Sequence, residues 1–290
     1  MSFLRLENIT KSFGSFIAND KISFEIETGK IHAILGENGA GKTTLMNIIS
    51  GLYQPDSGQI YLENKPVNIT SANTAIKLGI GMIHQHFMLV PQLSVVENII
   101  LGIDKNWSLN LKYKQQKIAD LSNSYGLEID PESKVGDLPV GTQQRVEILK
   151  VLYRQAKLLI LDEPTAVLTP LEVKSLIKIL RQLAAAGNTI IFISHKLEEI
   201  INLCDTVTVL RRGKVVANRK ISQTNPQELA ALMVGREIDF QLNKSSVTPG
   251  KVILSVNNLQ ALDDRGVTAV NNISFELREK EILGIAGVDG

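Results

Sequence analysis

Residues Gly36–Thr44 read GENGAGKTT, and Gly36–Thr43 fit the pattern G-x-x-x-x-G-K-[S/T]. Ahead of them Ile31–Leu35 is a short apolar run of strand length, and behind them a helical pattern continues to Ser50. A glycine-bearing loop between strand and helix is the sequence form of a polyphosphate cradle. Gly39 and Gly41 permit the positive φ values and close approach that let successive N–H groups surround an anion. Lys42 supplies a point charge to the outer phosphates, and Thr43 offers its hydroxyl to Mg2+. The helix N-terminus adds a further preference for negative charge. Gly36, Glu37, Asn38, Ala40 and Thr44 complete the candidate nucleotide-binding set.

A second half of the site lies at LLILDEP, Leu158–Pro164. Four apolar residues bring Asp162 to the carboxyl end of a parallel strand, where open α/β sheets bind their ligands. Asp162 is the expected Mg2+ ligand, directly or through water, and Glu163 the group that polarises the attacking water. His195, in FISHK after the strand Thr189–Ile193, is placed to bond the γ-phosphate and orient Glu163 or the water. Gln85, in MIHQHFMLVPQLSVVEN, falls where a core strand meets a helical stretch, and its amide could ligate Mg2+ and report the nucleotide state. His84 and His86 flank it on one strand face, but without a third ligand nearby they make no metal site.

The chain has 290 residues, 44% hydrophobic and 21% charged, a balance that excludes a disordered tail and a membrane bundle. Its net charge of +1 gives no argument for a nucleic-acid partner. A single cysteine, Cys204, rules out an internal disulfide and fits a reducing compartment. Apolar runs such as Leu158–Leu161 and Ile190–Ile193 are strand-sized, and the N-terminus lacks the apolar core of a signal peptide.

Strands at Leu4–Ile9, Ile22–Ile26, Ile31–Leu35, Gln59–Leu62, Gly81–His84, Leu158–Leu161, Thr189–Ile193, Thr206–Leu210 and Lys214–Ala217 are expected, with helices at Pro170–Ala186, Lys196–Leu203 and Pro226–Val234. That order predicts an α/β fold: a mostly parallel sheet covered on both faces, an added antiparallel β piece, and a helical insertion at about 86–155. Trp107, Tyr113 and Tyr125 of the insertion are expected to pack, Arg211–Lys214 to be a solvated hairpin turn, and Cys204 to be inert at a helix end. The chain also repeats itself. ISFEI at Ile22–Ile26 returns as ISFEL at Ile273–Leu277, and GKIHAILGENG at Gly29–Gly39 aligns with KEILGIAGVDG at Lys280–Gly290. The expected organisation is a domain over 1–237, a linker over 238–250, and the truncated start of a second copy over 251–290.

At Leu138–Arg145 the chain reads LPVGTQQR. With GENGAGKTT, Gln85, LLILDEP and ISH in that order, it resembles the ATP-binding-cassette (ABC) ATPase family over residues 3–237. The resemblance implies a P-loop NTPase (RecA-like) core, Mg-ATP hydrolysis, and Phe13 of KSFG stacking on adenine. It also implies head-to-tail pairing with a second cassette, each signature loop completing the other's ATP site. Here that loop is Leu138, Pro139, Val140, Gly141, Thr142 and Gln143, where the family has LSGGQ. Proline removes the serine hydroxyl, valine adds bulk, and Gly141 is kept. The intact acid pair beside this weakened loop makes the Lys42 site the expected hydrolytic one, and Thr169 stands where the family has an aspartate. TAVLTP, LMVGRE at Leu232–Glu237 and the second opening ILGIAGVDG resemble the twin-cassette importers of simple sugars and nucleosides, with HQHFMLVPQLSVVENIILG nearest the nucleoside type. Implied partners are integral membrane permease subunits at the cytoplasmic face of the membrane and, indirectly, an extracellular solute-binding protein. The competing classes are a soluble ABC ATPase acting on DNA or ribosomes and a nucleotide-switched binding module; a coiled-coil insertion or basic arm, which would mark the former, is not seen.

Overall fold

The computed structural model describes residues 2–85, 87–103, 111–236, 248–263 and 266–286. They form two compact units, Met1–Ile238 and Asp239–Gly290. The first opens with a long hairpin, β1 (Ser2–Phe13) and β2 (Phe16–Glu27), followed by β3 (Ile31–Leu35) and α1 (Lys42–Ile49). Next come β4 (Ser57–Leu62), β5 (Lys65–Val67), α2 (Ala72–Lys77) and β6 (Ile80–Ile83). The helical insertion supplies α3 (Val95–Ile100), α4 (Leu111–Ser124) and α5 (Val140–Tyr153). The chain then alternates through β7 (Leu158–Asp162), α6 (Pro170–Ala185), β8 (Thr189–Ile193), α7 (Leu197–Leu203) and β9 (Thr206–Arg211) before β10 (Lys214–Lys220) and α8 (Pro226–Val234).

Two sheets result. The larger has the order β10-β9-β3-β8-β7-β6, parallel except for β10 at its edge. Every residue of β3 and β8 is buried, as expected of parallel strands covered on both faces. The two faces go to different cores by the period of two. Leu158, Ile160, Ile191 and Ile193 pack with Leu45, Met46, Ile48 and Ile49 of α1 and with the apolar face of β1 and β2. Leu159, Leu161, Ile190 and Phe192 pack with Val146, Leu149, Leu176, Leu180 and Ile200 from α5, α6 and α7. The smaller sheet, β2-β1-β4-β5, is antiparallel, so α1 lies between two sheets.

β1 and β2 run several residues further towards the turn that joins them than the alternation indicates, to Phe13 and from Phe16. Their register shifts between Leu6 and Ile9, with Asn8 and Lys21 at positive φ, and that bulge breaks the period. β5 and α2, at three and six residues, are too short to leave a periodic signal. Tyr113 departs from expectation: it is 66% exposed on α4, because the apolar face of that helix is carried by Ile118. Tyr125 does pack against the core, and Trp107 lies outside the described residues. Cys204 caps α7 and is buried, and burial pushes its thiol pKa up.

The second unit contains a two-stranded ribbon, β11 (Val252–Leu262) and β12 (Thr268–Arg278). Its pairs Leu254 with Leu277, Val256 with Phe275 and Leu259 with Ile273 reproduce the register of Leu4 with Ile26, Leu6 with Phe24 and Ile9 with Ile22. The bulge recurs as well: Asn258 has φ 50 where Asn8 has 51, and each donates its N–H to a serine hydroxyl at 2.8 Å.

β3 also carries a fully enclosed histidine. The Thr208 hydroxyl donates to Asn218, so its oxygen accepts from His32 Nε2 at 2.8 Å, while Nδ1 accepts the Thr206 hydroxyl at 2.7 Å. The ring stacks on Phe24 at 5.3 Å, and burial lowers its pKa from 6.5 to about 3. The unfolded chain therefore binds a proton that the folded one refuses, and stability is lost as pH falls from 6.5 towards 3. One such proton corresponds to about 1.4 kcal/mol per pH unit. Urea midpoints between pH 7 and 4 should fall less steeply for His32→Gln than for the wild type; equal slopes would refute the assignment.

Candidate active site

β3 ends at Leu35 in the middle of the large sheet, and the loop 36–41 carries the chain into α1. Two glycines are required there by space. A Cβ on Gly41, which has φ 98, would lie 2.3 Å from the Ala18 carbonyl oxygen and 2.6 Å from Asn19 Nδ2. One on Gly36 would lie 2.4 Å from the Leu210 oxygen. Gly39 instead needs its left-handed φ of 80. Ala40 is buried, Glu37 and Asn38 are exposed, and the fully buried Asn19 pins the loop by donating to the Gly41 carbonyl at 3.1 Å.

Lys42 begins α1 and is buried. Its ammonium donates to the carbonyls of Gly36 at 2.7 Å and Glu37 at 3.0 Å. Burial lowers its pKa, while the charges of Glu163 and Asp162 raise it. Asp162, at the end of β7, shows the opposite balance. Burial and the neighbouring Glu163 raise its carboxyl pKa, and Lys42 and His84 oppose the rise. The structure thus brings cradle lysine and acid pair together.

Glu163 leaves the strand at φ 46, with its N–H donating to the Ile193 carbonyl at 3.0 Å. Its Oε1 lies 3.1 Å from His195 Nδ1, in the next loop along the sheet. A cavity of about 440 Å³ is walled by Gly39, Gly41, Lys42, Thr43, Thr44, Gln85, Asp162 and Glu163. The Thr43 hydroxyl, the Gln85 amide oxygen and the Asp162 carboxylate form a hard oxygen set that fits Mg2+. Among the described residues no group of three His, Cys, Asp or Glu could hold a metal, so such an ion would draw further ligands from a bound phosphate or water.

Phe13 does not line this cavity. It ends β1 44% exposed, edge-on to Tyr53 at 5.4 Å, and Phe16 across the turn reaches the wall instead. His86 lies outside the described residues. The loop Leu138–Gln143 does not line the cavity either. Leu138 packs on the core, Pro139 precedes α5, Val140 opens it 41% exposed, and the Thr142 N–H returns to the Pro139 carbonyl at 2.9 Å. Gln143 donates to the Leu138 carbonyl at 2.9 Å.

The Gly141 N–H is occupied by a residue the sequence did not flag. Glu172 accepts it at 3.1 Å, and also accepts the N–H and hydroxyl of Thr169, each at 2.8 Å. Those Thr169 bonds, with the Gly141 amide, hold the Glu172 carboxyl below the usual range. Thr169 and Glu172 form a capping box for α6, which is the one signal a sequence reader could have used.

The family model for ABC transporters matches residues 19–166. The chain is 49% identical over 289 residues to the nucleoside import ATP-binding protein NupA of Lactococcus lactis subsp. cremoris, and 50% identical over 289 residues to the guanosine import ATP-binding protein NupO of Bacillus subtilis. Each alignment takes in 99% of this chain but 57% of the relative, so the chain spans little more than half the length of either. Among solved structures it is similar to the ADP conformation of MJ1267, an ATP-binding cassette of an ABC transporter, with TM-score 0.70 and 28% identity over 81% of this chain and 100% of that one. The fold is therefore a P-loop NTPase core with an antiparallel β subdomain and a helical insertion, and with a match across half its length and relatives near 50% identity, the chain belongs to the ABC transporter family.

Proposed function

We propose that this chain binds and hydrolyses ATP to drive an importer of a nucleoside or simple sugar, working through separate membrane subunits. The observation that carries the proposal is the contact of Glu163 with His195 at 3.1 Å beside the Lys42 cradle. The names of the relatives, nucleoside import and guanosine import, support the solute class and favour the nucleoside.

In this reading the amides of the loop 36–41 and the Lys42 ammonium take the β- and γ-phosphates, Lys42 giving up the two carbonyls it now bonds. Thr43, Gln85 and Asp162 would hold Mg2+, which would neutralise charge developing on the phosphate. Glu163 accepts a hydrogen bond from the attacking water, and His195 holds that carboxylate and faces the γ-phosphate. Phe13 offers its exposed ring to adenine, with Phe16 on the cavity wall. The loop Leu138–Gln143 serves the ATP site of a partner cassette, less effectively than a loop with serine and two glycines.

We assign 1–237 to one cassette, 238–250 to a linker and 251–290 to the start of a second, a division supported by the shared register and bulge of the two hairpins. No helix among the described residues is long and apolar enough to cross a membrane, so attachment to the cytoplasmic face runs through permease subunits, with a solute-binding protein acting beyond them. Their contact belongs on an apolar cavity of about 210 Å³ between the core sheet and the helical insertion, lined by Ile76, Met82, Met88 and Val151. His84 also lines it, and Gln85 follows directly, so the amide near the metal site borders the docking groove.

Glu163→Gln in the full-length protein should retain Mg-ATP binding but lose turnover by about 10²–10³-fold, read as steady-state phosphate release. Wild-type turnover in that variant refutes the assignment of Glu163. Residues 1–290 alone should bind Mg-ATP yet hydrolyse it about 10²-fold more slowly than the full-length protein, because a partner's loop is missing from the γ-phosphate. Equal rates would show that this cassette needs no partner.

A further inference from the structure

The loops after β7 and β8 run side by side, because Asp162 pairs with Ile193 in the parallel register. Glu163 opens one loop and His195 lies in the other, so the contact between them depends on how the two loops are held. Glu163 is left-handed at φ 46, a conformation that a non-glycine residue keeps only where its surroundings enforce it.

Behind them lies a carboxylate with no role in the site chemistry. Glu199, the third residue of α7, is 8% exposed. Its Oε2 accepts the Thr165 hydroxyl at 2.7 Å and the Ser194 hydroxyl at 2.9 Å. Its Oε1 pairs with the Lys196 ammonium at 3.2 Å, which also donates to the Thr165 carbonyl at 3.2 Å. The Lys196 N–H donates to Ser194 Oγ at 3.0 Å, so the serine proton is left for Glu199. Buried carboxylates are tolerated where their oxygens are occupied in this way, and removing the hub leaves several polar groups unpaired at once.

Thr165 stands two residues after Glu163, and Ser194 directly precedes His195. Both are 2% exposed, so neither hydroxyl is available to a ligand. We propose that Glu199 is a positioning residue which, by bonding Thr165 and Ser194 together, locks the two loops in the alignment that sets Glu163 against His195. It does not line the cavity beside Lys42, and it acts only through those two side chains. The inference rests on the ATPase reading above.

ATP turnover, ATP affinity and amide hydrogen exchange of the full-length protein test it. Glu199→Ala should lower kcat by about 10–100-fold with KM for ATP within about twofold, since small misplacements of a reacting group carry costs of that order. Glu199→Gln, whose amide oxygen can still accept both hydroxyls, should recover most of the loss. Thr165→Val, which keeps the shape and removes one hydroxyl, should lower kcat by about 3–10-fold and carries the test if Glu199→Ala fails to fold. Exchange across 163–166 and 193–196 should rise together in Glu199→Ala without nucleotide. Wild-type kcat in Thr165→Val or Glu199→Ala overturns the proposal, as does a loss of ATP affinity in step with kcat. A wild-type protein without turnover would overturn the ATPase reading instead, and the exchange data then decide: unchanged loops overturn the clamp, and a joint rise supports it.

Discussion

The Lys42 ammonium is a charge that the fold has taken largely out of water, and much of the site follows from how that charge is accommodated. Two loop carbonyls accept its hydrogen bonds, and the carboxylates of Glu163 and Asp162 oppose the fall in its pKa that burial causes. Neither arrangement survives alone. Without the carboxylates the ammonium faces its burial cost with neutral partners only, and without Lys42 two neighbouring acids repel each other in a half-buried pocket. A polyphosphate satisfies the same ammonium with stronger acceptors, and Mg2+ separates it from the acids. The site is arranged as the electrostatic complement of its proposed ligand.

The sheet makes this meeting possible. β3 and β8 are neighbours, and so are β8 and β7, all parallel, so their carboxyl ends lie along one edge. The phosphate loop, the loop of Glu163 and the loop of His195 leave from that edge in turn. Because the strands are covered on both faces, their register is fixed by two cores at once, and a slip of one residue would exchange the faces completely. The three loops inherit that precision, and the Glu199 network carries it from the strands to the side chains.

Those elements were the legible part of the chain. Ile31–Leu35, Leu158–Leu161 and Thr189–Ile193 are unbroken apolar runs between punctuating residues, and GENGAGKTT has its meaning in the backbone, so local sequence sufficed. What stayed hidden depends on partners distant in sequence. Asn19, Glu172 and Glu199 are ordinary polar letters until the fold places Gly41, Thr169 or Ser194 beside them. Phe13 and Phe16 show how fine the detail can be. A two-residue turn decides which of two aromatic rings reaches the cavity, and Phe16 lines it while Phe13 packs against Tyr53. The β1–β2 ends were underestimated for a related reason, since bulges at Asn8 and Lys21 interrupt the alternation on which strand reading relies.

In the proposed function the glycine cradle and the acid pair act on one magnesium-bound triphosphate. Calorimetric titration of ATP with and without Mg2+, into the wild type and into Asp162→Asn, tests it most directly. Mg2+ should strengthen uptake by the wild type and should no longer strengthen uptake by the variant. Folded wild-type protein that takes up no ATP, or a magnesium gain that persists undiminished in the variant, would contradict it.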